Sequence, residues 1–343
     1  MKAKTFLQFV GPSVAIMVLL LAAPLVITFY LSVRNCTLVM EPVRIEEVTP
    51  FGKQESWSQR VKLDESGRAV EECRFVGLDY YRRVLGLSTS EASTSSGMEA
   101  VAATTAATPP RNEGHGDEFI DALRFTMFYT FATLPFVLVI GLLLALGVNG
   151  ATKRLKGVFI TASLLPFVIT PLIAALSIKW LFRDGGLVPD LLAHFGIHVF
   201  WMAHAWSARL LIILYGIWQV VPFAFIILYA GLQSVPVDAL EAATIDGASR
   251  LQKFRYVTLP HLMPLIVFIT LIHVMDAYRV FEPVVVLTQG AFTTSVQYLT
   301  YYTLLVERNP FKASASAMLT LVGILVLLTP LLVRTWREQR RVF

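Results

Sequence analysis

Six stretches of this chain each run for about twenty residues or more with almost no break in apolar character, the length a helix needs to cross the hydrocarbon core of a bilayer. They fall at about 10–33, 123–148, 158–182, 209–232, 261–287 and 313–333. Hydrophobic residues make up 55% of the 343 and charged residues only 15%, whereas soluble domains carry roughly 25% charge. The chain therefore reads as an all-α integral membrane protein whose first partner is the lipid bilayer. The run at 10–33 exceeds the roughly 7–15 apolar residues of a cleaved signal peptide and is expected to stay as a helix. Pro135, Pro166, Pro171, Pro222 and Pro264 lie inside the runs. Membrane helices tolerate such breaks where neighbours or water satisfy the freed carbonyls.

The net charge of +5 does not point to nucleic acid, because the basic residues cluster at the ends of apolar runs and form no stripe interleaved with aromatics. Lys2 and Lys4, then Lys153, Arg154 and Lys156, then Arg250, Lys253 and Arg255, then Arg334, Arg337, Arg340 and Arg341 fall on one side of a six-span topology. The positive-inside rule places that side, with both termini, in the cytoplasm of a cell or inner membrane. Three regions follow: 1–33, an amino end with the first span; 34–122, an extracytoplasmic segment; and 123–343, the core. Within the second, 34–86 has strand-like and aromatic patches that suit a small cap. Residues 88–116, "STSEASTSSGMEAVAATTAATPPRNEGHG", lack the large apolar side chains needed to offset ordering entropy and are expected to form a flexible insertion. Cys36 and Cys73 both fall in this external segment. A disulfide and two free thiols both remain open, since two cysteines carry little pattern.

The chain has no G-x-x-x-x-G-K-[ST] loop to cradle ATP, no H-E-x-x-H or C-x-x-C metal pattern and no G-x-S-x-G elbow. A catalytic role is therefore unsupported, and neither a metal nor a cofactor of its own is expected.

One polar segment breaks the apolar regime. "EAATIDGASRLQKFRYVTLP", 241–260, lies between the fourth and fifth runs in a loop spanning 233–260. Ser234 as a cap, Pro236 in a first turn and Asp238 near a positive helix end predict a helix through Glu241, Ala242 and Ala243. Gly247 then supplies a turn. A second short helix over "ASRLQKFRYVTL" follows, with Pro260 starting the fifth span. An interfacial connector resting in the headgroups has much the same pattern, so physics alone leaves both readings open.

The fifth run also carries His273, Asp276, Arg279 and Glu282. A charge in mid-membrane costs about 2.5–3.5 kcal/mol on insertion scales, which makes each a functional candidate. At 1.5 Å per residue Asp276 lies roughly 24 Å beyond Pro260. The i,i+3 spacing lets Asp276 pair with Arg279 and Arg279 with Glu282, as an internal ladder between helices or as a polar lining. Tyr278, Phe281, Trp218 and Gln219 suit a lining for a hydroxyl-rich solute, although Trp218 equally suits a core. Lys179 and Trp180 suit an interface anchor.

Glu241-Ala242-Ala243, three residues, Gly247, nine residues, then Val257-Thr258-Leu259-Pro260 resembles the E-A-A-x3-G-x9-I-x-L-P loop of permease subunits in binding-protein-dependent ABC importers. "FVGLDYYRRVL" (75–85), "LLPFVITPLIAAL" (164–176), "GIWQVVPFAFIILYAGLQSVP" (216–236) and "YRVFEPVVVLTQG" (278–290) are similar to the sugar-importing branch, typified by the maltose-system permease. The sequence departs from that branch at Gly290-Ala291-Phe292, where the branch reads G-G-P. The resemblance implies the type I importer permease fold. It also implies a second homologous permease subunit, an extracytoplasmic solute-binding protein and a cytoplasmic ATPase dimer that binds the ATP. Glu241, Ala242, Ala243, Asp246, Gly247, Leu259 and Pro260 would then form the loop gripped by the ATPase. Trp218, Gln219, Asp276, Tyr278, Phe281 and Glu282 would meet a sugar or polyol. A permease for glycerol phosphate or another small solute, and an ion-coupled secondary transporter relaying charge through Asp276, Arg279 and Glu282, are the competing readings.

Overall fold

The computed structural model describes residues 3–49, 52–64, 67, 70–87 and 117–339, so the expected flexible insertion at 88–116 lies outside the described residues. The chain divides into two compact units, Met1–Asp117 with Thr303–Leu319 and Glu118–Tyr302 with Thr320–Phe343.

In the first unit, α1 (Ala3–Ser32) is apolar on every face, and most of its large side chains between Val14 and Tyr30 are exposed. Such a helix is stable only where its surroundings are as apolar as it is. Four strands follow: β1 (Arg34–Leu38), β2 (Met40–Thr49), β3 (Gly52–Val61) and β4 (Glu71–Phe75). β1 pairs antiparallel with β4 and β2 with β3, making two nested two-stranded ribbons. The register sets Cys36 opposite Cys73, and the two form a disulfide that settles the question left open above. Beyond the ribbons, α2 (Asp79–Val84) buries Tyr80 and Val84, and the Tyr80 ring stacks on Phe311 with centroids 6.5 Å apart. Ser32 Oγ and Tyr81 Oη lie 2.7 Å apart and tie α2 to the end of α1. A 37-residue separation makes the crosslink worth roughly 4 kcal/mol by chain-entropy reasoning. Cys36→Ser should therefore open the ribbons to protease while leaving the membrane helices intact. Equal resistance of wild type and variant to limited proteolysis would show that the bridge carries no such load.

The second unit is built from α3 (Asp117–Gly150), α4 (Lys153–Val168), α5 (Pro171–Phe182), α6 (Leu187–Ala193), α7 (Ala205–Gln233), α8 (Val237–Ile245), α9 (Arg250–Lys253), α10 (Leu259–Tyr278), α11 (Val296–Leu305) and α12 (Pro310–Gln339). The outermost residues of α3, α11 and α12 at the unit boundaries belong to the first unit. The central element is α7, which buries Leu211, Ile212, Tyr215, Ala224, Phe225 and Leu228 and packs against α4 and α10. Two apolar clusters form along it. One gathers Tyr215, Ala174, Ala175 and Val284; the other gathers Phe225, Val137, Leu262 and Ile269. The buried hydroxyls of Thr126, Thr130 and Thr133 donate to the carbonyls of Ala122, Thr126 and Tyr129 at 2.7, 2.8 and 2.8 Å. Each polar group is thereby satisfied inside its own helix, as an apolar environment demands.

Five described helices are long and apolar enough to span a membrane, and a sixth span results if the bent pair Arg154–Val168 and Pro171–Ala193 counts as one. The expected continuous third span at 158–182 is thus corrected. It breaks after Val168 and the two pieces meet at 96°. Thr170 precedes Pro171 and takes the extended backbone that a following proline imposes, with ψ 140°. The fifth span also ends before the expected 287, because α10 stops at Tyr278 and the chain resumes as a π-helical turn at Val284–Thr288. Ser234 is not the cap of the following helix but the last residue of α7's cap, and Pro236 occupies the N-cap position of α8.

Candidate functional site

Two sites emerge, a handle at 234–260 and a cleft between helices. In the handle, α8 ends in a turn that only a left-handed residue closes. Gly247 sits at φ 78°, its N–H donates to the Thr244 carbonyl at 3.1 Å, and the Ala248 N–H donates to the Ala243 carbonyl at 2.9 Å. This pair of bonds is the Schellman closure, which satisfies the orphan carbonyls of a helix end. The next turn opens with a capping box. Ser249 Oγ accepts from the Gln252 N–H at 3.3 Å, and the Ser249 N–H donates to Gln252 Oε1 at 2.7 Å. Sequence reasoning passed over this pair, although the S-x-x-Q spacing announces it. Lys253 Nζ donates to Thr244 Oγ1 at 3.2 Å and crosslinks α9 to α8.

The expected separate helix over 248–259 is corrected as well. After Lys253 the backbone widens into a π-helical turn, Phe254–Thr258, and runs into α10 without a break. The Leu259 N–H reaches back five residues to the Phe254 carbonyl. A widened turn accommodates Pro260, whose missing N–H and bulky ring disturb a tight one. Pro260 therefore lies inside a continuous helix and does not start one. Of the residues singled out in the sequence, Glu241, Ala242, Asp246, Gly247 and Pro260 are exposed, and Ala243 and Leu259 are half-buried. Ile245, Leu251 and Tyr256 are 87%, 74% and 71% exposed. The braced element thus presents large apolar side chains on its surface.

The cleft has a volume of about 640 Å³ and is lined by α3, α7 and α10 with the flanks of the α4–α5 break. It brings together Gln219, Asp276, Phe281 and Glu282 from the sequence candidates and adds Tyr129, Tyr215, Phe223 and His273. The break in the third span is part of the site. Gln219 Nε2 donates to the Ile169 carbonyl at 3.2 Å, and the Tyr215 hydroxyl donates to the Pro171 carbonyl at 2.7 Å. Side chains of α7 thus bind carbonyls on the two sides of the break. Two candidates lie elsewhere. Trp218 is outside the cleft, beside Tyr215 with ring centroids 6.3 Å apart. Tyr278 is buried in the core, with its hydroxyl against Gly323.

The expected ladder of charges stops at its first rung. Arg279 Nη2 lies 3.6 Å from Asp276 Oδ1, and among the described residues no ion pair joins Arg279 to Glu282. Helical spacing ends at Tyr278, so the second i,i+3 step has no helix to carry it. Both members of the Asp276–Arg279 pair keep more than half of their side-chain surface exposed.

The loop beyond Thr288 carries positive φ at Gln289 (51°), Gly290 (80°) and Phe292 (62°). The Tyr298 hydroxyl donates to the Gln289 carbonyl at 2.6 Å and Arg209 Nε to the Phe292 carbonyl at 3.2 Å, which hold the turn in place. Proline is locked near φ −65°, so the residue that the sugar branch carries at this place cannot adopt the conformation of Phe292. His194 and His198 are four residues apart, but α6 ends at Ala193, so they share no helical face. Arg183 stacks on Trp180 at 4.1 Å, beside Lys179 at the end of α5.

Residues 115–342 match the family described as Binding-protein-dependent transport system inner membrane component. A probable ABC transporter permease protein of Sinorhizobium fredii is 28% identical over 98% of this chain and 91% of its own length. The trehalose/maltose transport system permease protein MalF of Thermococcus litoralis is 34% identical over 54% of this chain and 64% of its own. Among solved structures, a bacterial ABC transporter involved in import of the acidic polysaccharide alginate matches with a TM-score of 0.60 and 26% identity, covering 64% of this chain and 80% of that one. These matches show that the chain belongs to the inner membrane components of binding-protein-dependent transport systems and has the mostly helical type I ABC permease fold.

Proposed function

We propose that the chain is one of two permease subunits of an ATP-driven importer for a sugar or related polyol, and that residues 241–260 are the handle through which a cytoplasmic ATPase dimer moves it. The observation that carries this reading is the handle itself. It is closed by Gly247, boxed by Ser249 and Gln252, fused to α10, and presents Ile245, Leu251 and Tyr256 outward. A connector resting in the headgroups would also expose apolar side chains, but it would not need the bracing of Gly247, Ser249 and Gln252. The chain supplies no phosphate loop of its own, so ATP is bound and hydrolysed by the partner. Closure of the ATPase dimer turns the helices outward-open, and an extracytoplasmic binding protein delivers the solute. The Cys36–Cys73 disulfide supports placing 34–122 on the oxidising side, with both termini in the cytoplasm.

The solute class rests on the sugar-transport names of relatives such as MalF and on the cleft, where Phe281 and Phe223 offer flat faces and Gln219 and Asp276 offer polar edges. Asp276→Ala and Gln219→Ala should each lower solute-stimulated uptake by about tenfold, one lost hydrogen bond to a charged or buried group being worth roughly 1.5–3 kcal/mol. Basal ATP hydrolysis and assembly should persist. Loss of assembly in step with uptake would instead assign both residues to packing. An ion-coupled secondary transporter is less well supported, because among the described residues no ion pair continues from Arg279 to Glu282. Uptake driven by a proton or sodium gradient in the absence of ATP would reverse that judgement.

A further inference from the structure

The charged groups of the cleft are unequally divided between anions and cations. His273 is 1% exposed, lines the cleft, and has Nε2 at 2.9 Å from Thr133 Oγ1. The Thr133 hydroxyl proton is committed to the Tyr129 carbonyl at 2.8 Å, so Thr133 Oγ1 receives the bond and His273 Nε2 carries the proton. That fixes the tautomer, and the partnerless Nδ1 is left as a lone-pair acceptor. Gln219 follows the same logic. Its amide nitrogen donates to the Ile169 carbonyl, and its buried Oε1 has no partner. Glu282 adds a carboxylate with no cation within ion-pair distance among the described residues. Asp276 adds another, balanced by Arg279. Of the donors, the Tyr215 hydroxyl is engaged on the Pro171 carbonyl, while Arg279 faces Asp276 at 3.6 Å and keeps more than half of its side chain exposed. Formal charges in the lining are Asp276 −1, Arg279 +1 and Glu282 −1, leaving one uncompensated negative charge.

We propose that this cleft rejects anions: it accepts polyhydroxylated solutes that are neutral or carry an ammonium group and excludes uronates and phosphate esters, with Glu282 as the discriminating residue. A hydroxyl-rich or ammonium-bearing solute supplies protons to the Glu282 carboxylate. A uronate or phosphate brings a further negative charge and meets the unpaired like charge of Glu282. The inference rests on the sugar-importer reading and narrows it, setting aside glycerol phosphate as the cargo.

The test uses the complete transporter in nanodiscs without its binding protein, so that the permease's own preference is read. Glucose, glucosamine, glucuronate and glycerol phosphate are compared by equilibrium binding at fixed ionic strength. Glucosamine and glucose should bind, glucosamine the more tightly, and glucuronate and glycerol phosphate should bind at least about tenfold more weakly. Glu282→Gln should erase the advantage of glucosamine over glucose and narrow the gap to glucuronate. If all four bind alike, or if Glu282→Gln leaves the ranking unchanged, charge selection is wrong while the sugar reading stands. If none of the four binds, the sugar reading and the charge inference fall together.

Discussion

Replacing Gly247 by proline is expected to reduce ATP-driven uptake by about a hundredfold or more, because proline in such a position costs roughly 3 kcal/mol or more and removes a structural donor. Gly247 occupies φ 78°, which the pyrrolidine ring cannot reach, and its N–H holds the Thr244 carbonyl. Losing both opens the end of α8 and frees α9, whose crosslink to α8 runs through that same Thr244. Insertion into the membrane should be unchanged, since Gly247 is exposed and a Cβ there meets no neighbour within 4 Å. Gly247→Ala keeps the N–H and should produce an intermediate defect, the left-handed conformation costing a non-glycine residue about 1–2 kcal/mol. Glu241→Lys reverses the charge of an exposed handle residue and should weaken ATPase binding with no local unfolding. The readouts are uptake, ATPase co-purification and membrane abundance. Normal uptake in the proline variant would reduce the handle to a connector.

The second large effect is expected from Gly216→Leu. Gly216 lies on α7 where the Tyr129 hydroxyl of α3 occupies the space a side chain would need. Tyr129 is only 5% exposed and cannot swing aside, so the two helices must separate. Overpacking of this kind costs about 1–3 kcal/mol and occasionally more. Both residues line the cleft, so the variant should lose solute binding along with thermal stability in detergent. Tyr129→Ala in the same chain should restore part of the stability, a coupling that a double-mutant cycle measures. Purely additive losses would show that the α3–α7 approach at this point is not tight.

Much of this architecture was legible in the sequence, for reasons that differ by residue. The long apolar runs announced α1, α3, α7 and α12 because a membrane span leaves a composition signal as long as the bilayer is thick. Gly247 was readable because few residues other than glycine accept its backbone. The breaks at Ile169–Thr170 and after Tyr278 were not, because a window of hydrophobicity is blind to a change of direction. Membrane helices often carry proline without breaking, so Pro171 alone decided nothing; the bonds on the two sides of the break come from Gln219 and Tyr215 on another helix. Trp218 and Tyr278 looked like lining, but which face of a helix meets a cleft depends on the neighbour, and neighbours are not written locally. His273 was visible as a polar intruder, yet its tautomer required Thr133, 140 residues away.

The unbroken passage from the handle through the π-helical turn into α10 makes Arg250–Tyr278 one 29-residue shaft. At 1.5 Å per residue it is about 40 Å long, so a tilt of roughly 5° at the docking end displaces the far end by about 3.5 Å, more than a hydrogen bond. Asp276 rides on that far end. On the proposed reading, grip and release of solute would be geared to one small rotation of that single helix.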